Sequence, residues 1–192
     1  MSSSAELLEK ARALRQQGQN KKALEAYREV LAIDETNLDA LNEIGLVHIH
    51  IGEQALAINA FDLAISINPS DHRAYSHKAE AYLTLNMYEE ALACSEDGLD
   101  LAPANPELWA KKARALESMM KINEAIEAYK ESIKHDSEDP KTWKALALCL
   151  DALEKWTEVA RAYRIAGNLH EKRGEMQDAE SCYKFAEFAE KS

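Results

Sequence analysis

The stretch from Leu38 to Asp71 reads LDALNEIGLVHIHIGEQALAINAFDLAISINPSD, and the chain on either side repeats its pattern. The stretch is 34 residues long, and one alanine position recurs at that interval, as Ala23, Ala57, Ala91 and Ala125. A helical pattern that repeats at a fixed interval of this size indicates stacked helix pairs, because each pair buries its apolar face against its neighbours. The sequence therefore predicts an all-α fold without a single central core.

Each repeating unit contains two predicted helices. The first follows an Asn or Asp, which can accept a hydrogen bond from a backbone N–H group at the helix start. Its inward residues have the i, i+3, i+4, i+7 spacing of one helix face: Leu41, Ile44, Gly45 and His48. Gly52 ends the first helix, and Pro69 ends the second because proline cannot continue a helix. We expect Gly45 to face Ala57, so that the two backbones approach closely.

The interval and the residues at fixed positions resemble the tetratricopeptide repeat. The residues that carry this resemblance are Gly45, Gly52, Ala57, Phe61, Ala64 and Pro69. It implies a right-handed α-solenoid of antiparallel helix pairs, with about 11 helices. We expect a single domain whose residues 1–174 hold five repeats, followed by a capping helix at 175–192. The repeats fall at about 4–37, 38–71, 72–105, 106–139 and 140–173.

Three repeats depart from the pattern at the turn between their helices. Asn86, Met120 and Glu154 stand where a turn glycine is usual, and Asn tolerates the left-handed backbone conformation better than most residues. No helix-breaking residue interrupts the segment from Trp156 to about Arg173. We therefore predict one long helix there, which serves as the second helix of repeat five and the first helix of a shortened sixth repeat.

Composition narrows the classes of partner and compartment. The net charge is −11, which argues against nucleic-acid binding because that function needs a basic surface. No apolar run is long enough for a membrane span, and the N-terminal residues do not have the pattern of a secretory signal. The three cysteines are an odd number without paired spacing, so we expect reduced thiols and a cytoplasmic protein.

The sequence contains no recognisable catalytic, cofactor or metal motif. His48 and His50 are two residues apart, whereas metal ligands on a helix need i, i+3 or i, i+4 spacing. No phosphate-binding glycine loop and no nucleophile–base combination is present. We therefore expect neither an enzyme nor a bound cofactor or metal.

The inner face of the first helices is the predicted binding surface. In repeats three to five this face is basic, and its candidate peptide-binding residues are Arg73, His77, Lys111, Arg114, Lys141 and Lys144. A basic groove in an acidic protein attracts ligands of opposite charge, so we expect another protein to be bound through an acidic peptide or a carboxylate terminus. The alternative is a solvated face that neighbours such as Glu117 and Asp151 partly neutralise.

Some tetratricopeptide proteins bind the C-terminal carboxylates of chaperones through Lys, Arg and Asn side chains. The corresponding positions here are Leu8, Arg12, Glu43, Arg73 and His77. Only the arginines keep that chemistry, and Glu43 would repel a carboxylate, so chaperone-tail binding is disfavoured.

A second hypothesis concerns the C-terminal helix. Phe185 and Phe188 lie among polar residues there, and an aromatic patch of this kind can mediate self-association. The sequence leaves open a homo-oligomer built through these residues, and also a chain that is part of a longer protein.

Overall fold

The computed structural model describes residues 3–192, which form eleven α-helices and no strand. The predicted all-α class and the number of helices are confirmed. The helices are α1 Ser4–Gln16, α2 Asn20–Ile33, α3 Leu38–His50, α4 Gln54–Ile67, α5 His72–Thr84, α6 Tyr88–Leu101, α7 Pro106–Ser118, α8 Ile122–His135, α9 Pro140–Asp151, α10 Trp156–Lys172 and α11 Met176–Ala189.

The chain divides into two compact units. The first extends to Ala102 and contains α1–α6; the second begins at Pro103 and contains α7–α11. Within each unit, every helix packs against the helix that follows it. Among residues 3–192, no helix is both long and apolar enough to cross a membrane.

Side-chain caps begin the first helix of each repeat, as the sequence predicts. Ser3 forms a capping box with Glu6, and the Asn37 side chain accepts a hydrogen bond from the Ala40 N–H group at 3.0 Å. Asn105 and Asp139 cap α7 and α9 in the same way, each before a proline at the first helical position. Such a cap contributes about 1 kcal/mol, because it satisfies a backbone donor that the helix itself leaves unpaired.

The turns between paired helices need a left-handed backbone residue. Gly18, Gly52 and Gly174 have φ of 72°, 81° and 76°. The three predicted substitutes adopt the same conformation without glycine: φ is 58° at Asn86, 60° at Met120 and 55° at Glu154. A residue with a Cβ atom is strained by about 1–2 kcal/mol in this conformation, least so for Asn. The turn geometry is therefore kept even where the residue is unfavourable.

The Phe61 ring approaches Gly45 closely. A Cβ atom at Gly45 would lie 2.3 Å from Phe61 Cε1 and 2.4 Å from Cζ, so the glycine accommodates the Phe61 ring. The expected close approach of Gly45 to Ala57 stays a prediction. The same pairing recurs where Gly167 makes room for the Tyr183 ring. An aromatic residue on the second helix thus fills the space that a missing side chain leaves on the first.

The long helix near the C-terminus is also confirmed. Helix α10 spans Trp156–Lys172 and packs against both α9 and α11. The first half of the helix contains the buried Tyr163. In its second half, Gly167 lies against the Tyr183 ring of α11. One continuous helix therefore takes the two roles that the overlapping repeat patterns predict.

Candidate functional site

Ion pairs among its own residues neutralise the charged face of the first unit. Arg12 on α1 and Arg73 on α5 both bind Asp39 on α3, with N–O distances of 3.0 and 3.1 Å. Arg12 also pairs with Glu9 at 2.8 Å, and Arg15 pairs with Glu43 at 2.9 Å. Neither Arg12 nor Arg73 therefore presents an unpaired guanidinium to a ligand.

A buried carboxylate fixes the position of Arg73. Its Nε and Nη2 atoms donate to the two oxygens of Asp71 at 2.9 and 3.0 Å, and Asn42 Nδ2 donates to Asp71 at 3.2 Å. Burial tends to raise the pKa of Asp71, but the hydrogen bonds and charge of Arg73 outweigh it and hold the pKa below its usual value. The predicted ligand residue Arg73 is thus part of an internal network.

The other predicted residue of this unit, His77, lies against the core. Its ring is 5.6 Å from the Phe61 ring, at an interplanar angle of 34°. Phe61 is fully buried, while His77 is partly exposed and takes part in further interactions. The His77 imidazole on α5 therefore packs against the same aromatic residue that fills the space at Gly45.

The second unit has a basic face on the first helices α7 and α9. Lys141 and Arg114 are exposed, and the residues that the structure describes give the Lys141 ammonium no ion pair. Lys144 lies 4.0 Å from Asp178 on α11, a distance at the limit of an ion pair. Lys111 is mostly buried, with its ammonium 3.6 Å from Glu107, and both Lys111 and Arg114 make further interactions.

The Glu117 carboxylate, which was expected to neutralise part of this face, is hydrogen-bonded to a tyrosine of the next helix. The Tyr129 hydroxyl donates to Glu117 at 2.6 Å, and burial together with this contact raises the pKa of Tyr129 strongly. Glu117 is partly buried beside this tyrosine, between α7 and α8. The first helix α9 carries the exposed Lys141 and the partly exposed Lys144 beside the exposed Arg114 of α7.

An apolar groove crosses the C-terminal helices. Phe188 is 67% exposed, and Phe185 is half-exposed with its ring stacked on Tyr163 at 5.2 Å. With the exposed Leu148 of α9 they line a groove of about 390 Å³, with Asp151 and Lys184 at its polar positions. The two phenylalanines predicted for self-association thus belong to a larger apolar surface.

One cluster of possible metal ligands was missed in the sequence. His170, Glu175 and Asp178 each bring one ligand atom within 4.8 Å of the others. The His170 ring is buried and its Nδ1 contacts Glu175, as His48 Nδ1 contacts Glu53 at 2.7 Å across the equivalent turn. The spacing His-x4-Glu-x2-Asp spans a helix, a turn and the next helix, so a search for ligands on one helix overlooks it. The same His–Glu contact therefore links one helix to the start of the next at two turns, which indicates that it stabilises the turn.

The cysteines have no reactive environment. Cys94, Cys149 and Cys182 are free and buried. Burial raises the pKa of the Cys94 thiol to about 11 and that of Cys149 to about 12. A neutral buried thiol is a poor nucleophile and metal ligand, so these residues pack as small apolar side chains.

Comparison with known families identifies the repeat directly. A model described as TPR repeat matches residues 11–52, and one described as Tetratricopeptide repeat matches residues 38–71, 72–105 and 106–139. The second model covers more than half of the chain. No curated protein matches the sequence significantly.

Solved structures show the same fold at low sequence identity. A thermophilic TPR protein of Thermus thermophilus is 17% identical, with a TM-score of 0.78 over 97% of this chain and 100% of that chain. MamA of Desulfovibrio magneticus RS-1 is 20% identical, with a TM-score of 0.76 over 90% of this chain and 98% of that chain. PilF of Pseudomonas aeruginosa is 17% identical, with a TM-score of 0.76 over 93% of this chain and 88% of that chain. The fold is therefore a helical solenoid.

Proposed function

Since this chain belongs to the tetratricopeptide-repeat family, we propose that it is a non-catalytic scaffold that binds an acidic peptide segment of another protein. The observation that carries this proposal is the basic face of α7 and α9, where Lys141 is exposed without an ion pair among the described residues. The protein as a whole has a net charge of −11, so such a face is a local exception. It would attract carboxylates and orient them on the first helices.

The proposed ligand contacts are weighted towards the second unit. Lys141 and Lys144 supply the accessible charge, Arg114 adds a guanidinium, and Lys111 supports them from a more buried position. Arg73 and His77 were predicted as part of the same site, but the Arg73 guanidinium is engaged by Asp71 and Asp39. We propose that these two residues contribute less than the lysines of α9.

We also propose that the chain consists of five repeats followed by a capping helix. The free, buried cysteines support a reducing compartment such as the cytoplasm. A peptide that becomes ordered on binding loses part of its interaction energy, so micromolar affinity is the natural expectation.

Affinity capture with two charge-reversed variants tests the proposal. Lys141→Glu/Lys144→Glu reverses the α9 charges, whereas Lys130→Glu/Lys134→Glu makes the same change in net charge on the second helix α8. We expect a partner from the source lysate that wild type and the α8 variant retain and the α9 variant loses, all three having equal helicity by circular dichroism. Equal retention by all three proteins would remove the basis for the α9 site.

Self-assembly is the second candidate function, and the apolar groove favours it. Phe188 and Phe185 on α11 and Leu148 on α9 together expose a contiguous apolar surface on two helices. Sedimentation of wild type and Phe188→Ser distinguishes this candidate, because a homo-oligomer held by the groove would dissociate in the variant. A monomeric wild type at high concentration would reject it.

A further inference from the structure

Two arginines of the first unit share a carboxylate that belongs to the chain itself. Asp39 Oδ2 accepts a hydrogen bond from Arg12 Nη2 at 3.0 Å, and Asp39 Oδ1 accepts one from Arg73 Nη1 at 3.1 Å. The arginines come from α1 and α5, on either side of α3. An external carboxylate would bridge two guanidinium groups in the same way, with one oxygen accepting from each arginine.

Both arginines are held in place by other acidic side chains. The Nε and Nη2 atoms of Arg73 are fixed on Asp71, which is itself held by Asn42 and is only 6% exposed. Arg12 Nη1 binds Glu9 at 2.8 Å. The Arg73 guanidinium is therefore oriented independently of Asp39. Arg12 also has partners besides Asp39, because its Nε atom lies 3.5 Å from the partly buried Glu43 in addition to the pair with Glu9.

We propose that Asp39 acts as an internal competitor that prevents acidic ligands from binding between Arg12 and Arg73. This inference rests on the proposed function, because it concerns the same class of ligand on the first helices. A carboxylate tethered beside its partners acts at an effective concentration of the order of millimolar, so a separate ligand competes poorly for the same donors. Asp39 thereby directs acidic peptides towards α7 and α9.

Neutralising Asp39 tests the inference. Asp39→Asn keeps the shape of the side chain and removes its charge. Asp62→Asn is the matched control, because it gives the same change in net charge. Asp62 lies on the second helix α4 and binds Lys78 of α5 at 2.6 Å. A third variant, Asp39→Asn/Arg12→Gln, removes one of the two released arginines while the Asp71–Arg73 pair remains.

The measurement is the dissociation constant of a fluorescein-labelled oligoglutamate peptide, read by anisotropy at low ionic strength. We expect Asp39→Asn to bind roughly three- to tenfold more tightly than Asp62→Asn, since partly exposed charge-assisted contacts are worth that much. Adding Arg12→Gln should remove most of the gain. Equal affinity of Asp39→Asn and Asp62→Asn would overturn the inference.

The same peptide separates this inference from the proposed function. The loss of affinity in Lys141→Glu/Lys144→Glu, relative to wild type, reports on the α9 site alone. If that variant binds as well as wild type, the proposed function fails, and the comparison of Asp39→Asn with Asp62→Asn still decides whether Asp39 competes for the arginines.

Discussion

Replacing Gly45 by alanine tests the packing that joins α3 to α4. Glycine in a helix interior is unfavourable, so Gly45→Ala gains about 1 kcal/mol from helix propensity alone. The new Cβ atom would lie 2.3 Å from Phe61 Cε1, whereas ordinary contacts begin at 3.4 Å, so the ring would have to move by about 1.1 Å (3.4 − 2.3). Phe61 is fully buried and has His77 beside it, which leaves the ring little room.

The steric cost exceeds the gain in helix propensity. Inserting a methyl group into a packed core costs about 1–3 kcal/mol, and a displacement of this size belongs at the upper end of that range. We therefore expect Gly45→Ala to lower the free energy of unfolding by about 2 kcal/mol. For a chain of this length the melting temperature would fall by about 4–8 °C.

A double-mutant cycle, read by urea unfolding, isolates the contact. Phe61→Leu removes the two ring atoms closest to the new Cβ atom, so Gly45→Ala should become neutral, or stabilising by up to about 1 kcal/mol, in that background. The third repeat supports this, because it pairs Ala79 with Ser95 at the equivalent positions and buries both. Stabilisation by Gly45→Ala while Phe61 is intact, or independent addition of the two changes, would refute a steric conflict between the new Cβ atom and the Phe61 ring.

Turns, buried charge and buried thiols each give a further prediction. Met120→Gly should stabilise the chain by about 0.5–1 kcal/mol in urea unfolding, because φ is 60° at this exposed position; a loss of stability would contradict the strain. The folded-state pKa of Asp71 is depressed, so its contribution to stability is present above about pH 4 and is lost as the pH falls through the folded pKa. Asp71→Asn, which retains a capping side chain, should flatten that acid-side decline, and an unchanged pH profile would contradict the assignment. Finally, the raised pKa values of Cys94 and Cys149 predict that the native thiols react with a disulfide reagent at pH 8 only as fast as the chain opens; immediate labelling would contradict their burial.

Local signals in the sequence were sufficient to predict the helices. Caps such as Asn37 and Asn105, and turn residues such as Gly52, act within a few residues of their own position, so their effects can be inferred without tertiary information. The long α10 follows from the absence of a helix breaker after Trp156. These features depend on backbone hydrogen bonding rather than on neighbours distant in sequence.

The contacts between repeats were less accessible from the sequence. The contact of the Phe61 ring with Gly45 depends on the rotamer of Phe61, which spacing along a helix does not specify. The pairing of Arg73 with Asp39 does have a signal, because the two residues are 34 apart and occupy the same position in consecutive repeats. Lys144 and Asp178 are also 34 residues apart (178 − 144 = 34), but Asp178 lies on the capping helix α11, so this pair does not follow from the repeat. Opposite charges at equivalent repeat positions therefore predict ion pairs across the stack, and a count of charges along one face does not.

The proposed peptide site is most directly tested by mapping amide chemical shifts during titration with the oligoglutamate peptide. We expect saturable shifts within α7 (Pro106–Ser118) and α9 (Pro140–Asp151), which disappear in Lys141→Glu/Lys144→Glu and persist in Lys130→Glu/Lys134→Glu. Shifts confined to α11 (Met176–Ala189), or none at concentrations well above micromolar, would contradict an acidic-peptide site on the first helices.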